Sequence, residues 1–308
     1  MRKADRDNPD NLENLDILNI LNRLNGATLD WLTDRLLDAL ARDERVGADA
    51  LQFLVRRYSI EAREELAEPL GAALARELDR QAHEGCPDDP DGWMAVFSEA
   101  AAISDDPRLP RAAADLLHGA RTRWSSGEGR AVDEVMRAVE ACLLCVNLPE
   151  ARELAAEAVD VLERIVAGAY RPGQGVSHEM APARFVRGGL SDHVRSASAL
   201  LTAYGLTARL PYAMLADELM QSVLRTPPDE PDGRGVPVRL RCELARVFCR
   251  LATLHRDDEY RRTAVLPLAE DYAADARRTL TALAPSVDER GVHAAPFGLA
   301  LAEWLRVG

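Results

Sequence analysis

Four side chains that can exchange protons lie close together in one long connecting segment. The stretch from Gly168 to Asp192 is rich in glycine and proline, and it brings together His178, Glu179, Asp192 and the adjoining His193. Imidazole and carboxylate groups at the mouth of a cavity can act as general acid and base towards a bound ligand. We therefore predict His178, Asp192 and His193 as candidate catalytic residues.

Two other interpretations of these residues are open. Asp192 precedes an apolar helical stripe, so either Asp192 or Ser191 could cap or flank a helix N-terminus. Histidine and carboxylate side chains also bind Zn²⁺ and harder cations. The sequence contains neither an HExxH motif nor paired CxxC motifs, and it has no phosphate-binding loop or dinucleotide fingerprint in strand context. We accordingly expect neither a metal ion nor a cofactor.

The cysteines include one pair with CxxC spacing, Cys142 and Cys145. In another setting this spacing would indicate redox or metal chemistry. Cys142 falls on the apolar stripe of an amphipathic helix, however, so we predict that both thiols fill space in the core. Cys242 and Cys249, seven residues apart on one helical face, receive the same interpretation.

Tryptophans and acidic residues offer weaker signals. The four tryptophans lie near predicted helix ends, where core packing is the expected role and stacking on a sugar ring the alternative. The run Asp88-Asp89-Pro90-Asp91 could bind a cation, although an exposed loop before the helix at Trp93 explains it equally well.

Helical periodicity must position all of these residues. A first helical stripe comprises Val132, Val135, Met136, Val139, Cys142, Leu143 and Val146. After a break at Pro149 a second stripe runs from Leu154 to Ile165, so the two helices form an αα-hairpin. Further helices are predicted at 15–24, 29–40, 51–58, 66–78, 94–103, 113–120, 194–204, 215–224, 240–254 and 264–283. Long connections are expected at 168–189 and 226–237.

Composition and repetition predict the fold class. Hydrophobic residues make up 47% of the 308 residues and aromatic residues only 5%, which favours helices over strands. A hairpin cannot bury its own apolar face, so successive hairpins must stack. We predict an all-α fold of repeated antiparallel helical hairpins, arranged as an (α/α) toroid or as an open α-solenoid. Residues 1–308 would form a single domain, with 1–28 as a peripheral N-terminal helix.

Charge excludes two classes of partner. The formal charge of −13 and the sequence pI near 5.0 oppose binding to nucleic acid and to anionic membranes. Nearly all positive charge is arginine, since Lys3 is the only lysine, and a GC-rich genome is the simpler explanation. The polar N-terminal sequence does not have the pattern of a signal peptide. We therefore expect a cytoplasmic protein whose partner is a small molecule or a peptide or protein.

Segments between about Tyr170 and the C-terminus, well under half of the chain, resemble a known family. The segments that carry the resemblance are 170–172 (YRP), 175–178 (GVSH), 188–193 (GGLSDH) and 199–204 (ALLTAY), together with the pairs Tyr212/Ala216 and Tyr260/Ala264. They are similar to the helical region of thioredoxin-domain-containing proteins of the spermatogenesis-associated type. The resemblance implies an (α/α) toroid related to N-acylglucosamine 2-epimerases and six-hairpin glycosidases.

Two functional hypotheses follow. The first is a ligand-binding or enzymatic toroid for a sugar-like molecule, with His178, Asp192 and His193 as acid and base groups near the mouth of a polar cavity. The second is a non-catalytic helical-repeat protein that binds a peptide or protein along a concave surface, such as an accessory protein of a biosynthetic pathway. The sequence does not decide whether the protein is an enzyme.

Overall fold

A computed structural model describes residues 24–61, 63–125, 130–180, 184–225, 235–264 and 271–307. Most of these residues are helical. The longer α-helices are α1 Gly26–Ala41, α2 Ala48–Glu61, α3 Ala67–Glu84, α4 Pro90–Ala101, α5 Arg108–Ser125, α6 Val132–Leu144, α7 Pro149–Ala169, α8 Leu190–Thr207, α9 Leu210–Arg225, α10 Val238–Leu254, α12 Tyr272–Leu283 and α14 Ala295–Val307. Two short helices are α11 Asp258–Thr263 and α13 Val287–Arg290, and 3₁₀ turns occupy Glu64–Leu66, Ala284–Ser286 and Gly291–Ala294.

Side-chain caps fix several helix starts. Asn25 accepts a hydrogen bond from the Thr28 backbone N–H at 3.2 Å and so caps α1. Asp89 accepts from the Gly92 N–H at 3.1 Å at the start of α4, where Pro90 occupies the first helical position. Both devices satisfy or remove backbone donors that have no partner within the helix.

Six helices contact one another in a closed succession. The contacts run from α2 to α4, α6, α8, α10 and α14, and α14 in turn packs against α2. We call these six helices the six-helix cycle. The other long helices, α1, α3, α5, α7, α9 and α12, each pack against one or more members of the cycle. The sequence therefore alternates between helices of the cycle and helices packed on it.

Helix α14 packs closely against α1 and α2. A Cβ atom at Gly298 on α14 would overlap the side chains of Leu32 on α1 and Phe53 on α2. Both of those side chains are fully buried. Only a residue without a side chain lets α14 approach the first hairpin this closely.

Helices α6 and α8 are held in a constant register. Ser191 donates to Asp133 at 2.5 Å, and Ser198 donates to Glu140 at 2.6 Å; each pair is separated by 58 residues. Because the separation is the same at both points, the two helices run parallel, and residues 58 apart stand side by side. This register positions the charged side chains discussed below.

The predicted all-α fold and most of the predicted helices are confirmed, with one helix divided differently. A single helix is predicted from Ala264 to Leu283, but α11 ends at Thr263 with Ala264 as its C-cap, and α12 begins at Tyr272. Asp257 accepts from the Tyr260 N–H and Asp271 accepts from the Ala274 N–H. Two N-terminal caps therefore start two separate helices.

Three other regions differ from expectation or cannot be compared. No helix is predicted after Leu283, yet α14 lies there, with Pro296 in its first turn, where proline removes no helical hydrogen bond. The expected loop at 168–189 contains a small antiparallel hairpin of β1 Tyr170–Arg171 and β2 Gly175–Val176. The predicted helix at 15–24 lies outside the described residues except for Leu24, as does most of 226–237.

Within the described ranges, none of the helices combines the length and the apolar character needed to cross a bilayer.

Candidate functional site

The six-helix cycle surrounds a cavity of about 590 Å³. Every residue that lines it comes from one of those six helices. Seven arginines and five carboxylates are among them: Arg56, Arg137, Arg195, Arg239, Arg246, Arg250 and Arg306, with Asp49, Asp91, Glu140, Glu243 and Glu303. The volume suits a ligand of roughly the size of a drug or a disaccharide.

One layer of the wall is an ion-pair network centred on Glu303. This carboxylate accepts from Arg246 Nε at 2.8 Å and from Arg56 at 3.2 Å, and Arg56 also donates to Glu99 at 2.7 and 3.0 Å. Burial opposes the ionised form of Glu303, but the two guanidinium groups outweigh it and lower its pKa. The network therefore links α2, α4, α10 and α14.

A second group joins hydroxyl groups to charge. Glu140 accepts from Ser198 at 2.6 Å and from Thr202 at 2.9 Å, while Arg250 donates to the Thr202 hydroxyl at 2.9 Å and to the Ser198 carbonyl at 3.1 Å. Burial lowers the pKa of Arg250, partly offset by Glu140. Carboxylate, guanidinium and hydroxyl groups are thus hydrogen-bonded to one another at the wall of the cavity.

A third group lies at the N-terminal ends of the cycle helices. Arg239 contacts Asp89 at 2.6 Å and Asp49 at 3.2 Å, and Arg137 also donates to Asp89. Burial opposes ionisation of Asp89, but Arg137 and Arg239 outweigh it and lower its pKa. For Asp49 and Asp91, burial dominates and raises the pKa. The acidic run is therefore only partly the exposed loop that we expected, because Asp89 and Asp91 are partly buried and paired with arginines.

The long connection brings two of the three predicted catalytic residues together. His178 Nδ1 lies 3.1 and 3.2 Å from the two carboxylate oxygens of Asp192. Asp192 is buried, whereas 59% of the His178 side chain is exposed. The carboxylate raises the pKa of His178 by hydrogen bonding and charge. Such a pair orients the imidazole and leaves Nε2 available for proton transfer.

Asp192 has a structural task as well. Its carboxylate accepts the Gly189 backbone N–H at 2.8 Å, three residues before it, as in a capping box. The alternative interpretation of Asp192 as a helix cap is thus borne out by the hydrogen bond. Ser191, the other predicted cap, instead donates its hydroxyl to Asp133.

His193 is separated from this pair. Its Nδ1 lies 2.8 Å from the Gly189 carbonyl oxygen, and its Nε2 is buried without a hydrogen-bond partner among the described residues. Burial lowers its pKa. The ring packs so closely on Gly175 that a Cβ atom there would overlap it, and Gly175 has a φ of +84°. A ligand therefore has no access to His193 in this arrangement.

One group of side chains could hold a cation. Asp133, His178 and Asp192 each offer one ligand atom, and these atoms lie within 4.8 Å of one another. Glu179, the fourth residue considered from the sequence, is not among them; its backbone pairs with Ala131 and its side chain is exposed. Two carboxylates and an imidazole suit a divalent metal ion, but Asp192 already serves the helix cap.

Four of the five cysteines behave as core residues. Cys142, Cys145, Cys242 and Cys249 are buried, and burial raises the pKa of each thiol to about 12. Thiols with so high a pKa are poor nucleophiles and poor metal ligands at neutral pH. Cys242 and Cys249 nevertheless form part of the cavity wall, which their position on the apolar face did not predict.

The arginines of the cavity were missed in the sequence. On α10, Arg239, Glu243, Arg246 and Arg250 follow one another at intervals of four, three and four residues, so they share one helical face. A charged stripe in a helix that also carries an apolar face could have indicated a buried polar interior. Attributing the arginine content to genome composition concealed this signal.

Tryptophan does not line the cavity among the described residues. Trp93 and Trp124 are buried in the core, and Trp31 and Trp304 pack against it, which agrees with the expected packing role. Trp124 also donates to Glu157 at 3.0 Å.

No family model matches the chain, and no curated protein matches it significantly. The resemblance to the spermatogenesis-associated type stays a prediction.

Proposed function

We propose that the six-helix cycle is an (α/α) toroid whose central cavity binds a small, sugar-like polar molecule. The observation that carries this proposal is the composition of the cavity wall, to which all six helices contribute and in which guanidinium, carboxylate and hydroxyl groups occur together. Sugar hydroxyl groups both donate and accept hydrogen bonds, so guanidinium, carboxylate and hydroxyl groups on one wall suit them.

The proposal extends to the pair His178 and Asp192. Asp133 and Asp192 lie one helical turn before the cavity residues Arg137 and Arg195 on the same two helices. An exposed imidazole oriented by a buried carboxylate could exchange protons with a ligand held near this end of the cavity. If the protein is an enzyme, we expect His178 to be the proton carrier, and His193 has no part in the proposal.

Peptide binding on an open concave surface has less support. An open superhelix would leave the first and last hairpins apart, whereas α14 packs against α1 and α2. The cavity of about 590 Å³ also accommodates a small molecule better than a folded partner.

The test is a ligand screen combined with a variant that fills the cavity. The purified chain is screened by thermal shift and calorimetry against monosaccharides, disaccharides, sugar acids and sugar phosphates. Thr253 lines the cavity and is exposed, and its hydroxyl donates to the Cys249 carbonyl of its own helix. We expect Thr253→Trp to abolish binding without unfolding the chain.

A matched control separates cavity filling from general damage. Thr122 is also exposed and donates to a carbonyl four residues earlier, but it lies on α5, away from the cavity lining. Thr122→Trp should bind ligand like the wild type. The proposal fails if no compound in the screen binds, or if Thr253→Trp binds as tightly as Thr122→Trp.

A further inference from the structure

We infer that the ligand of the central cavity carries an anionic group, a carboxylate or a phosphate, and that Arg195 binds it. This inference rests on the proposed function and names the chemical class of its ligand. It starts from the register of α6 and α8.

Arg137 and Arg195 stand side by side on the cavity wall. They are 58 residues apart, the same separation as the hydrogen-bonded pairs Ser191–Asp133 and Ser198–Glu140 on the same two helices. Both arginines line the cavity. Two guanidinium groups at corresponding positions on adjacent parallel helices create a local concentration of positive charge.

The two arginines differ in what they bind. Arg137 donates to Asp89 and lies 3.9 Å from Asp91. Arg195 makes no hydrogen bond within the described part of the chain, and its Nε atom is buried without a partner. Its one ion contact is a separation of 3.6 Å from Nε to Glu243, which is too long for a hydrogen bond.

The carboxylates near Arg195 are already shared. Glu243 also lies 3.7 Å from Arg239, so it stands between two arginines without a hydrogen bond to either. Asp91 is bound by Arg123. Apart from the buried Nε–H, the four N–H donors on the two terminal nitrogens of Arg195 have no hydrogen-bond acceptor within the described part of the chain, and the planar guanidinium presents them in the paired arrangement that carboxylate and phosphate groups bind in bidentate fashion.

The anion would enter a protein of strongly negative overall charge. With a formal charge of −13, long-range attraction does not explain anion binding, so selectivity must come from short-range contacts inside the cavity. We therefore expect the preference for an anionic over a neutral ligand to depend on Arg195 and to change little with ionic strength.

The experiment compares three probes by calorimetry: D-glucose, D-glucuronate and D-glucose 6-phosphate. On the wild-type chain we expect at least one anionic probe to bind tenfold or more tightly than glucose. Arg195→Gln should remove this difference while still binding glucose, and Arg195→Lys should restore only part of it, because a lysine lacks the planar fork.

Arg262→Gln is the control for the loss of one positive charge. Arg262 is exposed on α11, is not part of the cavity lining, and its Nε donates to the Asp258 carbonyl of its own helix. This variant should keep the preference for the anionic probe. If it loses that preference as Arg195→Gln does, general charge and not Arg195 is responsible, and the assignment is overturned.

The remaining outcomes separate the inference from the function on which it rests. Equal affinity of the wild type for glucose and for both anionic probes would overturn the inference and leave the proposed function standing. A preference for anions that survives in Arg195→Gln would overturn the role of Arg195. Failure of all three probes to bind the wild type would count against the inference and the proposed function together.

Discussion

Gly298 on α14 lies so close to Phe53 on α2 that a methyl group cannot be placed between them. We expect Gly298→Ala to destabilise the protein by about 1–3 kcal/mol, the usual cost of adding a methyl group to a packed interior. Urea unfolding measures this change.

A second glycine provides the control. Gly205 lies within α8, and a Cβ atom there would meet nothing within 4 Å. Gly205→Ala should be neutral or stabilise by about 0.5–1 kcal/mol, because alanine favours the helix. Equal destabilisation by the two substitutions would contradict the close approach of α14.

Titration of His178 tests its pairing with Asp192. We expect the pKa of His178, followed by NMR of its ring proton, to lie above 6.5 in the wild type and to fall in Asp192→Asn. Asparagine keeps an oxygen that can accept the Gly189 N–H, so the cap is retained while the charge is lost. Because the pKa of His178 is higher in the folded state than in the unfolded state, its pairing with Asp192 stabilises the fold fully below pH 6.5. This stabilisation is lost as the pH rises through the pKa of His178 in the folded state. An unchanged His178 titration in Asp192→Asn would refute the pairing.

His193 should show the opposite dependence. Burial lowers its pKa below 6.5, so the folded state prefers the neutral ring. The contribution of the neutral His193 ring to the free energy of unfolding is fully present above pH 6.5. It is lost as the pH falls through the pKa of His193 in the folded state. We expect stability measured by urea unfolding to decline between pH 7 and 5 more steeply in the wild type than in His193→Gln. The same slope in both proteins would contradict the buried neutral ring.

Thiol labelling distinguishes core cysteines from a redox pair. Cys86 is exposed and the other four thiols are buried. We expect one equivalent of an aromatic disulfide reagent to react quickly with the native protein at pH 8 and none with Cys86→Ser, while the unfolded wild type reacts with five. Rapid reaction of Cys142 or Cys145 in Cys86→Ser would revive the redox interpretation.

Glu303 compensates the charge of two arginines at the cavity. Replacing it with glutamine leaves Arg56 and Arg246 without their shared anion. Loss of one partner of a fully buried ion pair costs about 3–5 kcal/mol, and partial exposure of this network reduces our expectation to about 1–3 kcal/mol. Glu303→Gln should therefore lower the urea midpoint. The exposed Glu44, paired with Arg42, supplies the control Glu44→Gln, which should leave the midpoint unchanged.

Helix content was more predictable than helix assembly. The stripe from Val132 onwards begins α6 at the predicted residue, because periodic apolar residues report the face that a helix buries. Pairing between distant helices leaves no such local mark: the approach of Gly298 to Phe53 joins residues that are far apart in the chain. The only charged residues of α14 are Glu303 and Arg306, near its end, so the sequence of this helix shows little of the polar periodicity by which the other helices were predicted.

The candidate site was predictable only in part. One long connection places His178 near Asp192, so local sequence was sufficient for that pair. The cavity is assembled from six helices, and the position of Arg195 beside Arg137 follows from a register that only the folded chain defines. Arg195 was therefore not predicted as a site residue, although Asp192 and His193, which lie close to it in sequence, were.

The packing of α14 against α2 also has a kinetic consequence. A linear array of hairpins can fray from its ends one repeat at a time, since each repeat touches only its neighbours. Here α14 packs against α1 and α2, so neither α14 nor the hairpin of α1 and α2 can detach without breaking the contacts between them. Closing that contact requires joining segments more than two hundred residues apart, which is slow. Folding should therefore end with this step, and unfolding should involve the chain as one cooperative unit.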